Sequence, residues 1–401
     1  MAGGRAAPFS AFLDAARGGA AWDALVVLAP DLAALASCPQ EPEHHREGDV
    51  AAHTRLVLQE MAAGGRSGGD EPRLGPMFGP ELDHALLFWA AALHDLGKPA
   101  TTTRSVDGRW TAPGHARRGA AMARRLFWEA GAPPLWREAL ARLIALHMRP
   151  FHLIDQADPR RAAIEIAEAL AGCAPPAALI RLAMADARGR RSADPDALSE
   201  RVALAAACLE EHGLSQGRWP FPTPESRAAF FAKPARDPHF AAPPPEGSAV
   251  TLLSGLPGAG KDSWIAGQRQ GDGRERPVVS LDAIRARLGA PPTGAQGAVI
   301  QAAVEEAKDH LRAGRPFIWN ATNLTRSLRA RPLALFRDYR AAVEIVYLET
   351  SPQELFARNA RREAGPPKSA LSRLADRMEP PDGREAARVR WIIDGVETVI
   401  V

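Results

Sequence analysis

Lysine is nearly missing from this chain of 401 residues: among its 50 basic residues only Lys98, Lys233, Lys261, Lys308 and Lys368 are not arginine. Arginine therefore stands wherever generic positive charge suffices, and a retained lysine marks a place that wants a compact point charge. Two of the five, Lys98 and Lys261, lie inside the two motifs described below. Cysteine is scarce as well. Cys38, Cys173 and Cys208 stand far apart without metal-ligand spacing, which argues against a disulfide framework and suits thiols in a reducing compartment. The net charge of +3 is too small to define a nucleic-acid partner on its own. No apolar run approaches the ~20 residues of a membrane helix, and Met1 to Arg5 lacks the apolar core and cleavage site of a signal peptide. A cytoplasmic protein with no membrane partner is expected.

What remains is ordinary globular composition, 46% apolar and 24% charged, in a chain long enough for two or three domains. Residues 1–215 read as helical, with apolar residues at helical spacing over 50–62, 83–95, 115–130, 135–147, 162–171, 176–188 and 196–211. Asp49 suits an N-cap and Pro133-Pro134 a helix start. No strand pattern is visible in this half, and 64–81 reads as a flexible loop. Residues 216–247, rich in proline and aromatics, read as a stiff extended connector. From 248 to 401, β-type runs at 249–253, 277–281, 315–319 and 343–348 alternate with helical stretches, which predicts an α/β domain with a parallel sheet.

The strongest local signal follows the first of those runs. Gly255-Leu256-Pro257-Gly258-Ala259-Gly260-Lys261-Asp262-Ser263 matches the phosphate-binding pattern G-x-x-x-x-G-K-[ST] at all but one position. Glycines let backbone N–H groups converge on an anion, the next helix N-terminus favours negative charge, and Lys261 can reach the β- and γ-phosphates. Asp262 stands where a Mg²⁺-ligating hydroxyl is usual, and Asn320 ends the 315–319 strand where a metal-binding aspartate is usual. The exchange suggests that Asp262 takes over metal coordination. At the second strand Asp282 and Arg285 are three apart, hence on one helix face, where a carboxylate can take a hydroxyl proton and an arginine can grip a phosphate. Arg358, Arg361 and Arg362 before Gly365-Pro366-Pro367 read as a mobile lid.

In the helical half, an apolar run ends in His94-Asp95-Leu96-Gly97-Lys98-Pro99. An ionised carboxylate at the end of a buried helix needs partners, and a divalent metal would supply them. His53, His115, His147 and Asp186 are further candidate ligands; His44, His45 and His152 read as surface or supporting residues.

The set G-x-x-G-x-G-K, D-x-x-R, A-T-N and R-N-x-x-R over about 248–380 resembles the polynucleotide 5′-hydroxyl kinase family. That resemblance implies nucleotide-phosphate contacts from Gly255, Gly258, Gly260, Lys261, Asp262, Ser263 and Arg358. It implies Asp282 as general base, Arg285 and Asn323 on the acceptor, and Arg362 stabilising the transition state. His53 with His94-Asp95-x-Gly97-Lys98 is similar to the HD phosphohydrolase superfamily. By that likeness His53, His94, Asp95 and Asp186 hold one divalent transition metal, His115 and His147 a second, and Asp95 bridges. Lys98 then contacts the phosphate and Arg188 assists. The two modules in this order resemble the bacterial HD-Pnk end-healing enzymes. Implied are phosphorylation of 5′-hydroxyl ends from ATP or another nucleoside triphosphate with Mg²⁺, and removal of 2′,3′-cyclic and monoester phosphates at RNA, or DNA, ends. A separate ligase would complete the repair. A small-molecule kinase fused to a nucleotide phosphohydrolase, and a nucleotide sensor with degenerate sites, are the alternative readings.

Overall fold

The computed structural model describes residues 7–64, 77–192, 194–271, 276–291, 294, 296–362 and 365–400. They fall into two compact units, Met1–Trp219 and Pro220–Val401.

The first unit is helical: α1 (Phe9–Arg17), α2 (Trp22–Leu28), α3 (Val50–Gly64), α4 (Pro80–Leu93), α5 (His115–Glu129), α6 (Pro134–Leu146), α7 (Pro159–Leu170), α8 (Pro176–Gly189) and α9 (Pro195–Glu211). The start signals act as expected. Asp49 accepts from the Ala52 N–H at 2.8 Å, and Pro134 opens α6, where a missing N–H costs nothing. Helix α4 is the axis of the unit. It buries Ala85 to Leu87 and Trp89 to Leu93, and a helix apolar on most sides must lie inside. Phe12, Phe127 and Trp136 surround it, with Phe12 5.1 Å from Trp89 and Phe127 5.0 Å from Trp136, centroid to centroid. Burying each such ring contributes about 1.5–3 kcal/mol. Helix α1, which supplies Phe12, is too short for its period to show in the sequence.

Two expectations for this half need correction. A hairpin of β1 (Thr103–Arg104) and β2 (Trp110–Thr111) interrupts the helices; strands of two residues cannot display alternation. Helix α4 also begins at Pro80, within the stretch expected to be loop. Residues 65–76 of that stretch lie outside the described residues.

The second unit begins with α10 (Pro224–Ala232), so the segment expected to run extended contains a helix. Thr223 caps it, and Arg227 ties it to the carbonyls of Gly383 and Ala387. There follow β3 (Ala249–Ser254), α11 (Lys261–Gly271), β4 (Val278–Ser280), α12 (Leu281–Arg287), α13 (Gly297–Arg312), β5 (Phe317–Asn320), α14 (Arg326–Asp338), β6 (Ala342–Glu349), α15 (Pro352–Ala360), α16 (Lys368–Ala375), β7 (Arg388–Ile393) and β8 (Val396–Val399). The sheet order is β4-β5-β3-β6-β7-β8. All pairings are parallel except that of β7 with β8. The expected parallel sheet is present, with one antiparallel strand added at its edge. In β7 the polar faces of Arg388 and Arg390 interrupt the apolar run that would have marked a strand, while Val389 and Trp391 are fully buried.

This topology places the chemistry at one end of the sheet. β3 runs into Gly255–Lys261, β4 into Asp282 and β5 into Asn320, all at carboxyl ends of parallel strands. Fully buried Arg329 braces that end. It forks onto Glu385 at 2.7 and 2.8 Å and donates to the carbonyls of Asn323 and Glu379.

Candidate active sites

In the helical unit, five helices deliver ligand-type side chains to one buried point. His53 comes from α3, His94 and Asp95 from the end of α4, His115 from the start of α5, His147 from the end of α6 and Asp186 from α8. His53, His94, His147 and Asp186 have no exposed surface, and Asp95 has 2%. The histidines are aimed by their inner nitrogens. His94, His115 and His147 each face the carbonyl three residues earlier with Nδ1, at 2.8 Å. A donated Nδ1–H leaves the Nε2 lone pair free for a cation. His53 Nδ1 instead faces Glu47 Oε1 at 3.1 Å, a contact without hydrogen-bond geometry.

The Nε2 atoms divide between the two oxygens of Asp95. His94 Nε2 lies 3.2 Å and His53 Nε2 4.0 Å from Oδ2, whereas His115 Nε2 lies 3.4 Å and His147 Nε2 3.9 Å from Oδ1. His53 Nε2 also stands 3.0 Å from Asp186 Oδ1. Lone pairs facing carboxylate oxygens repel unless a proton or cation lies between them. Buried His94 Nε2 has no hydrogen-bond partner among the described residues, as a metal ligand would not. Two groups of donors that share Asp95 are spaced to hold a cation, His53–His94–Asp95 and Asp95–His115–His147, and Asp186 adjoins the first through His53. Mixed imidazole and carboxylate ligands suit several divalent transition metals.

Electrostatics agree with that fit. Burial alone would raise the Asp95 carboxyl, yet Lys98, His94 and His115 hold it well below the usual carboxylate range. Asp186 behaves likewise, its burial outweighed first by Arg190 and then by His53. Burial pushes His147 down to about 3 and also lowers His115, so both stay neutral and ligand-competent. For His94 burial works against protonation, but the charges of Asp95 and Asp186 win and raise it. Lys98 Nζ stands 2.7 Å from Asp95 Oδ2 and donates to Gln40 Oε1 at 2.7 Å.

Three partners escaped the sequence reading. Arg190, not Arg188, meets Asp186, with two contacts of 3.1 Å. The spacing could have shown this: 186 and 190 share a helix face, whereas 186 and 188 do not. Glu47 links His45 and His53, and Gln40 holds Lys98; neither spacing carries a signal, since both sit in loops. Of the supporting histidines, His45 is buried while His44 and His152 are exposed.

In the sheet unit, Gly258 and Gly260 hold φ of 87° and 104°, and Gly255 holds 153°, backbone that side-chain-bearing residues rarely adopt. A Cβ on Gly255 would come within 2.4 Å of the Leu348 carbonyl oxygen. Lys261 opens α11 and folds back onto the carbonyls of Gly255 and Leu256 at 2.8 and 3.0 Å. Burial lowers its ammonium to about 8. A cleft of about 1270 Å³ follows, lined by Gly258, Gly260, Lys261, Asp262, Ser263, Asp282, Arg285 and Asn320 and by Arg358, Arg362, Arg373 and Arg377. The two departures from the usual phosphate-loop pattern meet there: the Asn320 side-chain amide donates to Asp262 Oδ1 at 3.1 Å. Asp282 pairs with Arg285 on α12, and Arg362 lies 3.9 Å from Asp262.

One residue expected in this site does other work. Asn323 takes a left-handed φ of 45°, is 7% exposed, and donates its amide to the Leu253 carbonyl at 2.8 Å. It clips β3 to the loop after β5 and does not line the cleft. Asn359 likewise holds the Pro366 carbonyl and shapes the turn beyond the lid arginines.

A buried histidine–aspartate cluster in one unit and a phosphate-type loop in the other set the class: an HD domain joined to a P-loop domain. Residues 50–186 match the family model described as HD domain, and residues 250–381 the one described as AAA domain. The chain is 36% identical over 129 residues to the multifunctional CCA protein of Alkalilimnicola ehrlichii, covering 32% of this chain and 26% of that protein. It is 30% identical over 200 residues to the multifunctional CCA protein of Azoarcus sp., covering 47% and 42%. The chain thus spans less than half the length of these relatives. Among solved structures, a sugar kinase from Janibacter sp. is 19% identical with a TM-score of 0.28, covering 36% of this chain and 84% of that one. A gluconokinase from Sinorhizobium meliloti is 20% identical with a TM-score of 0.27, covering 38% and 84%.

Proposed function

We propose that the chain heals broken RNA ends, phosphorylating the 5′-hydroxyl with its sheet unit and clearing the 2′,3′-cyclic phosphate with its helical unit. The observation that carries this reading is the arginine-rich cleft in which Asp282 and Arg285 share a wall with Lys261. Lys261 and the backbone of Gly258 and Gly260 bind the donor phosphates of a nucleoside triphosphate. Asp282 takes the proton of the acceptor 5′-hydroxyl as its oxygen attacks the γ-phosphorus, and the nucleoside diphosphate leaves. Arg285 holds an acceptor phosphate, and Arg358 and Arg362 neutralise charge spreading over the transferred group. Asp262, steadied by Asn320, is the residue that would hold Mg²⁺; Asp262→Ala is therefore expected to lose Mg²⁺-dependent phosphorylation, and full retention would remove this role.

In the helical unit His53, His94, Asp95 and Asp186 would hold one divalent transition metal and Asp95, His115 and His147 a second. When bound, such ions supply a nucleophilic hydroxide at neutral pH and a Lewis-acid clamp on phosphoryl oxygen. Lys98 and Arg190 attract the phosphoester to the cluster, and the buried helix ends keep the ligands fixed. Cleavage of the cyclic ester leaves a monoester, and a second water releases inorganic phosphate.

The test is incubation with ATP, Mg²⁺, a transition metal and an RNA bearing a 5′-hydroxyl and a 2′,3′-cyclic phosphate, both ends being read by mass spectrometry. Phosphate is expected to be gained at one end and lost at the other. Lys261→Ala should abolish only the gain and His94→Ala with Asp95→Ala only the loss. Phosphorylation of small sugars or nucleosides in preference to RNA would replace the proposal with the small-molecule reading.

A further inference from the structure

Above the metal-ligand cluster lies a cleft of about 180 Å³, and its lining combines Lys98, His115 and Arg190 with Trp110 and His44. That volume is below the roughly 300–1,000 Å³ of sites that enclose a whole drug-sized ligand. The cleft suits a phosphate and its sugar better than a whole nucleotide, and Trp110 is part of its lining. Trp110 is half-buried on β2, and the Arg104 guanidinium lies 5.6 Å from its ring centroid.

The position of Trp110 is fixed by the same backbone that fixes the ligands. Its N–H donates to Glu41 Oε2 at 2.9 Å, and two residues further on the Ala112 carbonyl faces His115 Nδ1. Upstream, Thr102 donates to the Lys98 carbonyl at 2.8 Å, so the hairpin hangs directly from the His94–Lys98 segment. A half-buried ring in a cleft wall gains less from folding than a fully buried one, whereas a ring held beside a phosphate cradle can stack a base. Stacking is largely indifferent to base identity, because every base has a π-face.

We propose that Trp110, backed by Arg104, is the nucleobase platform of the hydrolase site and makes it selective for nucleoside phosphoesters over phosphoesters without a base. The inference rests on the hydrolase reading above and names its substrate class. Arg104 strengthens the stack by placing positive charge beside the π-system.

The metal-loaded full-length protein is assayed on adenosine 2′,3′-cyclic phosphate and on the base-free 1-O-methylribose 2′,3′-cyclic phosphate. Trp110→Ala is expected to lose roughly 5- to 150-fold more kcat/KM on the nucleotide than on the base-free ester, mostly through KM. Trp110→Phe is expected to keep most of the preference, which a merely structural tryptophan would not require. Equal losses on both esters, or no loss on either, overturn the proposal. Should the wild type hydrolyse neither ester, the hydrolase reading itself falls. Titration with a non-hydrolysable nucleoside 3′-phosphonate then decides the platform separately. Weaker binding by Trp110→Ala in the same range supports it, and equal binding refutes it.

Discussion

Gly97→Ala tests how the helical unit builds its metal centre. Gly97 has an ordinary φ of −80°, so alanine is not strained by conformation. The obstacle is space. A Cβ there would lie 2.1 Å from the His115 carbonyl oxygen and 2.6 Å from the Gly119 nitrogen, both backbone atoms of the first turn of α5. Reaching the 3.4 Å of ordinary contact requires the turn to retreat by 1.3 Å (3.4 − 2.1). His115 is the first residue of that helix, and its Nε2 is only 3.4 Å from Asp95 Oδ1 and 3.3 Å from His147 Nε2. The retreat therefore dismantles the Asp95–His115–His147 set and spares His53, His94 and Asp186 on other helices. Overpacking of this kind costs about 1–3 kcal/mol, which in a unit of this size lowers Tm by roughly 2–12 °C. The assay pairs metal analysis of the purified protein with thermal denaturation. Bound transition metal should fall from two ions per chain toward one, with a lower Tm. Gly119→Ala, whose Cβ would meet the Gly97 nitrogen at 3.0 Å, should do less. Full metal content at unchanged Tm in Gly97→Ala would refute the packing argument, and loss of both ions together would refute the division into two sets.

Lys261 should give nucleotide binding a pH dependence. Its ammonium is lowered to about 8 by burial, so above that pH the free protein holds it neutral while bound phosphates favour the charged form. Triphosphate affinity should then fall as pH rises from 8 to 10, by up to about tenfold per unit, with uptake of a proton on binding at pH 9. Calorimetry in buffers of different ionisation enthalpy reads that proton, and none taken up at pH 9 would contradict the burial of Lys261. Arg373 and Arg377, four apart and exposed on the cleft wall beyond α15, should contact acceptor phosphates. Replacing both by alanine should weaken single-stranded RNA binding and flatten the log–log salt slope by about 1.4, at about 0.7 per phosphate; an unchanged slope would exclude them from the acceptor path. Arg329→Ala should cost about 3–5 kcal/mol, because it removes both short contacts to the nearly buried Glu385 carboxylate and leaves it only Arg326 at 3.8 Å; urea denaturation of the full chain measures it.

The sequence determined the two motifs, Gly255–Ser263 and His94–Pro99, because each is a short-range pattern. A phosphate loop needs its glycines and lysine within nine residues, and the pattern at Gly255–Ser263 could be recognised without knowing what packs on it. Helix periods in the first half were legible for the same reason, since burial of one face repeats every three or four residues. Pairings between distant segments were not legible. Asp186 and Arg190 meet through helical spacing that the sequence contained, but Glu47 beneath His53 and Gln40 beside Lys98 depend on loops whose course only the packed helices decide. Asn323 reads as a site residue in its motif and becomes a structural clip because its left-handed backbone turns the amide toward β3. The assignment of four histidines to opposite oxygens of Asp95 likewise exists only once α3, α4, α5 and α6 converge. Local covalent spacing fixes which groups are available, and the burial of apolar faces, which is non-directional and long-range, decides which of them meet.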